Sequence, residues 1–122
     1  MSNRHIPPTR EIVLSVQPGP KGPALGPGRI KKKVKYTHPH GADASEVHAQ
    51  TNQWIRWKCD EGDYAVSFVE NQSPFARCGF SALQGQTIEA KVTGPPGTYP
   101  YCVVVFQPGG LPVVSDPRII IS

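Results

Sequence analysis

Little in this chain of 122 residues is long, apolar or helical. No stretch approaches the run of about 20 apolar residues that a membrane span needs. The opening Met1–Arg10 is polar and proline-containing, without the apolar centre of an export signal. Cysteine occurs three times, at 59, 78 and 102, an odd number with none of the paired spacing of a zinc ribbon or a thioredoxin motif. No window sustains apolar residues at i, i+3, i+4, i+7, and 14 prolines with 12 glycines work against long helices. G-x-S-x-G, H-E-x-x-H and a phosphate loop are missing, so no residue pattern nominates an enzyme and no cofactor is expected. The net charge of +4 is too mild for a nucleic-acid composition. With Met1 as the native start, the expected location is the cytoplasm and the thiols are reduced.

What the chain does contain is short period-two alternation punctuated by turn residues. Glu11–Val16 predicts a first strand. Arg29–His38 predicts a second, with Ile30, Lys32, Val34, Tyr36 and His38 on one face and Lys31, Lys33 and Lys35 on the other. His48–Cys59 carries a third and fourth, followed by Tyr64–Val69 and Gln84–Val92. Tyr99–Phe106 is a continuous apolar run, as a central strand would be, and Arg118–Ser122 closes the chain. Between the first two strands, Gln17–Gly28 is a Pro/Gly segment without a strict G-X-Y period, read as a mobile surface loop. Seven or eight short strands at this spacing predict an all-β, antiparallel sandwich. Residues 1–122 form one domain of ordinary size, with a flexible N-terminus over 1–8.

Two stretches narrow the choice of sandwich. Gln53–Phe68 reads QWIRWKCDEGDYAVSF and Gly94–Val105 reads GPPGTYPYCVVV. Together they resemble the paired signature of the cupredoxins, the plastocyanin-like blue-copper family. There, a V-x-W-x-N strand runs through an acidic turn into H-x-V-x-F, and a later G-x-Y-x-Y-x-C strand supplies a thiolate. Ile55 and Trp57 stand at the V and W positions, Cys59 at the Asn, and Tyr64–Phe68 replaces H-x-V-x-F. The resemblance implies a Greek-key sandwich from about Thr9 onward, with Tyr64 and Val103 at former copper-ligand positions. Cys102 falls one residue out of frame, so it points to the opposite face from Tyr99, Tyr101, Val103 and Val105. Phe106–Ser122 contains no His and no Met. A blue-copper centre needs two imidazoles, a thiolate and a weak axial ligand together, so the resemblance implies a member that has lost its type 1 site. An immunoglobulin-like sandwich competes through Trp57, but the Cys-to-Cys spacing of that fold is missing.

Each remaining candidate has a functional and a structural reading. His38 and His40 share a face of an extended segment and can chelate a metal, with His48 as a third ligand and Cys59 and Cys78 as soft donors. The plainer reading is a surface loop and buried free thiols. Tyr64 is a hydrogen-bonding plug in the vacated ligand pocket rather than a catalytic group. Lys31, Lys33 and Lys35 make a basic strand suited to an acidic protein, or a sheet edge kept from aggregating by lysines. Phe106, Leu111 and Pro112, in the stretch that replaces the family's ligand loop, would keep an apolar docking patch. The leading function is therefore a non-enzymatic binding or assembly module with a protein partner, possibly acidic, and not nucleic acid. A metal-handling protein with a rearranged His/Cys site is the first alternative. A small enzyme using the old pocket around Tyr64 is the second.

Overall fold

The computed structural model describes residues 9–17 and 32–122, and all of its regular elements are strands. The N-terminal segment 1–8, the Pro/Gly loop apart from Gln17, and Lys31 lie outside the described residues. Ten strands follow in order: β1 Thr9–Gln17, β2 Lys33–Thr37, β3 Glu46–Ala49, β4 Trp54–Cys59, β5 Asp63–Phe68, β6 Gly79–Ala82, β7 Thr87–Lys91, β8 Gly97–Phe106, β9 Val113–Ser115 and β10 Arg118–Ile121. They form two sheets. One is ordered β2-β1-β4-β7; the other runs β3-β10-β8-β5-β6, with β9 paired to β8.

Alternation in the sequence becomes burial in the structure. Ile12 and Leu14 of β1, Val34 and Tyr36 of β2, Ile55, Trp57 and Cys59 of β4, and Ile88 and Ala90 of β7 all point inward. They meet Tyr64, Val66 and Phe68 of β5 and Tyr101, Val103 and Val105 of β8 from the facing sheet. Side chains of two inner faces interdigitating in this way make the single core of a sandwich. At its centre Trp57 is fully buried, edge-on to Phe75 at 5.7 Å and to Tyr101 at 5.9 Å between ring centroids. The indole Nε1–H donates to the Tyr101 hydroxyl at 3.3 Å.

Three features differ from the sequence-based expectation. Both sheets are mixed: β1 runs parallel to β4, pairing Ile12 with Trp57, and β10 runs parallel to β3, pairing Ile120 with His48. Side-chain alternation is the same for either strand direction, so the pattern that predicted the strands was silent on this point. Two short strands, β6 and β9, were not foreseen. Gly-Phe-Ser-Ala and Val-Val-Ser carry too few alternating residues to signal a strand, and they exist because β5 and β8 offer unpaired backbone beside them. Finally, Lys32 precedes β2 and does not share the inward face of Val34 and Tyr36; it is exposed.

Candidate functional site

One end of the sandwich gathers five of the residues singled out by sequence: Cys59, Tyr64, Phe106, Leu111 and Pro112. It is built from the end of β4, the turn 60–62, the start of β5, the turn 83–86, and the end of β8 with the loop 107–112. Gln84 closes the two turns against each other. Its backbone N–H donates to the Asp63 carboxylate at 2.8 Å and its side-chain amide to the Asp60 carbonyl at 2.8 Å. Gly85, at φ +81°, donates its N–H to the Cys59 carbonyl at 2.8 Å, a left-handed position that glycine occupies at little cost. Gly62 is required for a different reason. A Cβ there would stand 2.9 Å from the Phe106 carbonyl carbon and nearer still to its oxygen.

Tyr64 fills the centre of this end. Its ring is 1% exposed, and its hydroxyl donates toward two backbone carbonyls, of Trp57 at 2.9 Å and of Gln86 at 2.7 Å. One side chain of β5 thereby ties together β4 and the turn before β7 in the opposite sheet. Burial pushes its pKa up to about 12, with the nearby Cys59 adding a smaller rise. The Cys59 thiol is likewise buried and raised by desolvation, opposed in part by backbone hydrogen bonds from Glu61 and Gly62. Val103 is fully buried hydrocarbon. It pairs with Val66 across β5, whereas Tyr64 pairs with Val105, so the two positions implied as ligands are offset along the ladder rather than opposed. Diagonal neighbours of that kind are about 7–8 Å apart. A buried valine and a phenol committed to carbonyl oxygens do not match the donor set of a thiolate–imidazole copper centre.

Replacing Tyr64 by Phe removes the hydroxyl whose single proton the Trp57 and Gln86 carbonyls share. We expect a loss of about 1–3 kcal/mol, read as a lower urea midpoint with an unchanged slope. An unshifted midpoint would refute the staple.

Around this centre the surface is apolar, with charge of both signs beside it: the exposed Asp60, Glu61 and Asp63 of the turn into β5, and the lysines at the start of β2. Leu83 and Phe106, 60% and 48% exposed, flank a shallow hollow of about 410 Å³ floored by Tyr64, Ala65 and Ala82. Leu111 is 86% exposed, and with Pro112, Val113, Val114 and Lys32 it borders a second hollow of about 310 Å³. Lys33 and Lys35 are exposed on β2, which is an edge strand of its sheet. The Lys32 ammonium donates to the Gln107 side chain at 3.0 Å, so the basic strand and the loop 107–112 adjoin. Leu83 was missed in the sequence reading because a single leucine in a turn carries no signal of its own.

The histidines and cysteines do not assemble. His38 and His40 lie together in the loop after β2, their rings 5.3 Å apart between centroids. His48 is on β3 in the other sheet, beside Glu46 at 3.2 Å. Cys59 is buried at the end of β4, Cys78 is exposed before β6, and Cys102 is half-buried on β8; none is in a disulfide. Among the described residues no group of three or more His, Cys, Asp or Glu side chains is placed to hold a metal ion, and no helix is long and apolar enough to cross a membrane.

No family model matches the chain, and no curated protein matches it. Among solved structures, a novel purple cupredoxin from Nitrosopumilus maritimus is similar at 14% identity and a TM-score of 0.49, over 93% of this chain and 99% of that chain.

Proposed function

We propose that this protein is a non-enzymatic binding module, a cupredoxin-like sandwich whose type 1 copper site has been replaced by packing and whose loop end docks an acidic protein. The observation that carries the reading is Tyr64, a phenol buried where the sequence motif implies a ligand and satisfied by two backbone carbonyls. A hydroxyl held in this way is structural, since both of its partners belong to strands and turns that it joins. It also commits the phenol to backbone carbonyls, and the neighbouring Cys59 thiol is buried with its pKa raised by desolvation, which weighs against the enzyme reading.

The docking half of the proposal rests on the neighbouring surface. Exposed Phe106, Leu83, Leu111 and Pro112 supply apolar area; Lys32 borders the Leu111 hollow with Lys33 and Lys35 following on β2, while Asp63 borders the Leu83 and Phe106 hollow. An apolar centre with a charged rim is the usual composition of a protein contact. Charge at the rim governs chiefly the rate of encounter and its salt dependence, while the apolar centre governs residence.

The test uses two surface variants of the whole protein, Lys33→Glu/Lys35→Glu and Phe106→Asp/Leu111→Asp, with circular dichroism to verify folding. A partner captured by the unaltered protein should be lost by both variants, and its capture by the unaltered protein should weaken as salt rises. Retention by both variants would place the contact elsewhere.

A further inference from the structure

The loop that follows β2 carries an arrangement that the docking reading does not use. His38, Pro39 and His40 sit in a tight turn held at both ends: the His38 N–H donates to the Ala42 carbonyl at 2.8 Å, and Gly41 N–H donates to the His38 carbonyl at 2.8 Å. A bridge from Thr37 to Asp43 closes the turn. Within it the His38 Nδ1 lies 3.0 Å from the backbone carbonyl of Glu11, on β1. A carbonyl oxygen only accepts, so Nδ1 must carry the proton. The neutral ring is then fixed in the tautomer whose Nε2 holds a free lone pair. An imidazole anchored through Nδ1–H to a backbone carbonyl is the arrangement that orients histidine ligands in metal sites.

His40 supplies the second donor. Its ring lies 5.3 Å from that of His38, with the planes 23° apart, and it is exposed. Two imidazoles bound cis at about 2.0–2.1 Å to one ion in the tetragonal geometry of Cu(II) have ring centroids roughly 4.5 Å apart. The spacing is therefore already close, and an exposed ring reorients within nanoseconds to aim its nitrogen. Pro39 between them has no N–H, so its nitrogen cannot join the shell as an ionised amide. No third His, Cys, Asp or Glu among the described residues completes a group, which leaves the remaining positions to water.

We propose that His38 and His40 form a two-imidazole site for Cu(II) on the loop after β2, with solvent filling the open positions. Imidazole suits both copper and zinc, and for a given nitrogen site Cu(II) binds the more tightly of the two. The site is separate from the Tyr64 end, so it stands or falls independently of the docking proposal. His48 does not belong to it, because it lies on β3 with Glu46 as its neighbour.

The experiment is a Cu(II) titration of the full chain, free of any affinity tag and carrying His5→Gln to remove the histidine near the amino terminus. One equivalent should bind, with nitrogen couplings from two imidazoles in the paramagnetic resonance spectrum and no intense thiolate charge-transfer band. His38→Gln and His40→Gln should each weaken binding by at least about 10–100-fold, the loss seen when only an outer-shell partner of a metal ligand is removed. His48→Gln, an equally ordinary surface histidine, should leave it unchanged. Equal affinity in all three variants, or binding that does not saturate, would overturn the site. Nitrogen NMR of the metal-free protein gives a second reading: His38 should be protonated at Nδ1, and a proton at Nε2 would overturn the proposal without any metal being added.

Discussion

Trp57→Ala is expected to remove about 3–5 kcal/mol of stability, the range for truncating a large buried aromatic. The indole is fully buried on β4 and touches Phe80 of β6 and Tyr101 of β8 in the facing sheet, and Phe75 in the segment between β5 and β6, so its removal opens a cavity between the two sheets. The truncation also strips the Tyr101 hydroxyl of the donor it receives from Nε1. Since small domains are stable by only about 5–15 kcal/mol, the variant should be largely unfolded on mild heating. Urea unfolding followed by circular dichroism measures this. Trp57→Phe separates the two contributions, because it keeps most of the volume and loses only the hydrogen bond. A loss below about 1.5 kcal/mol for the alanine variant would mean that Trp57 is not the centre of the core.

The second large effect is alkaline unfolding. Tyr36 and Tyr64 are pushed up to about 12 by burial, and Tyr101 is raised further by the same cause. In the unfolded chain a tyrosine loses its proton near pH 10. Above that pH the unfolded chain binds fewer protons than the folded one, so stability falls as pH rises. The contribution of these three groups is whole below about pH 10; that of Tyr36 and Tyr64 is lost between there and about pH 12, and that of Tyr101 continues to fall above it. We expect tyrosinate absorbance and the loss of near-ultraviolet circular dichroism to rise together in one cooperative step across that window. Smooth ionisation with the dichroism intact would refute it.

The three tyrosines can be told apart. The Tyr36 hydroxyl is buried with no hydrogen-bond partner, and desolvation is the main cause of its raised pKa. Tyr36→Phe should therefore shallow the alkaline slope without lowering stability at neutral pH. Tyr64→Phe should shallow it and lower neutral stability as well, because its hydroxyl has two partners to lose.

Alternation was enough to read off the strands that build the core, and it read them well where they are long. Tyr101, Val103 and Val105 turn inward while Phe106 turns out, as the frame of Gly97-x-Tyr99-x-Tyr101 implies, and Cys102 is accordingly off the core face. The inward set of β4, β5 and β7 was equally legible. Side-chain direction in an extended chain depends only on position within the strand, so it is a local property that sequence carries in full.

Which strand lies beside which, and in which direction, is not local. The parallel pairs β1–β4 and β3–β10 follow from how the chain crosses between the sheets, and no residue within those strands encodes it. Strands as short as β6 and β9 form only because a neighbour presents its backbone. The same distinction runs through the candidate sites. Histidine and cysteine at 38, 40, 48, 59 and 78 read as one possible cluster in sequence; the tertiary structure leaves only 38 and 40 together and gives the first of them its fixed tautomer through a carbonyl on β1. By itself, then, the sequence determined the inward faces and the residues at the implied ligand positions. The pairing of sheets decided that Tyr64 would reach two carbonyls across the core, since a hydroxyl finds its acceptors in space and not along the chain.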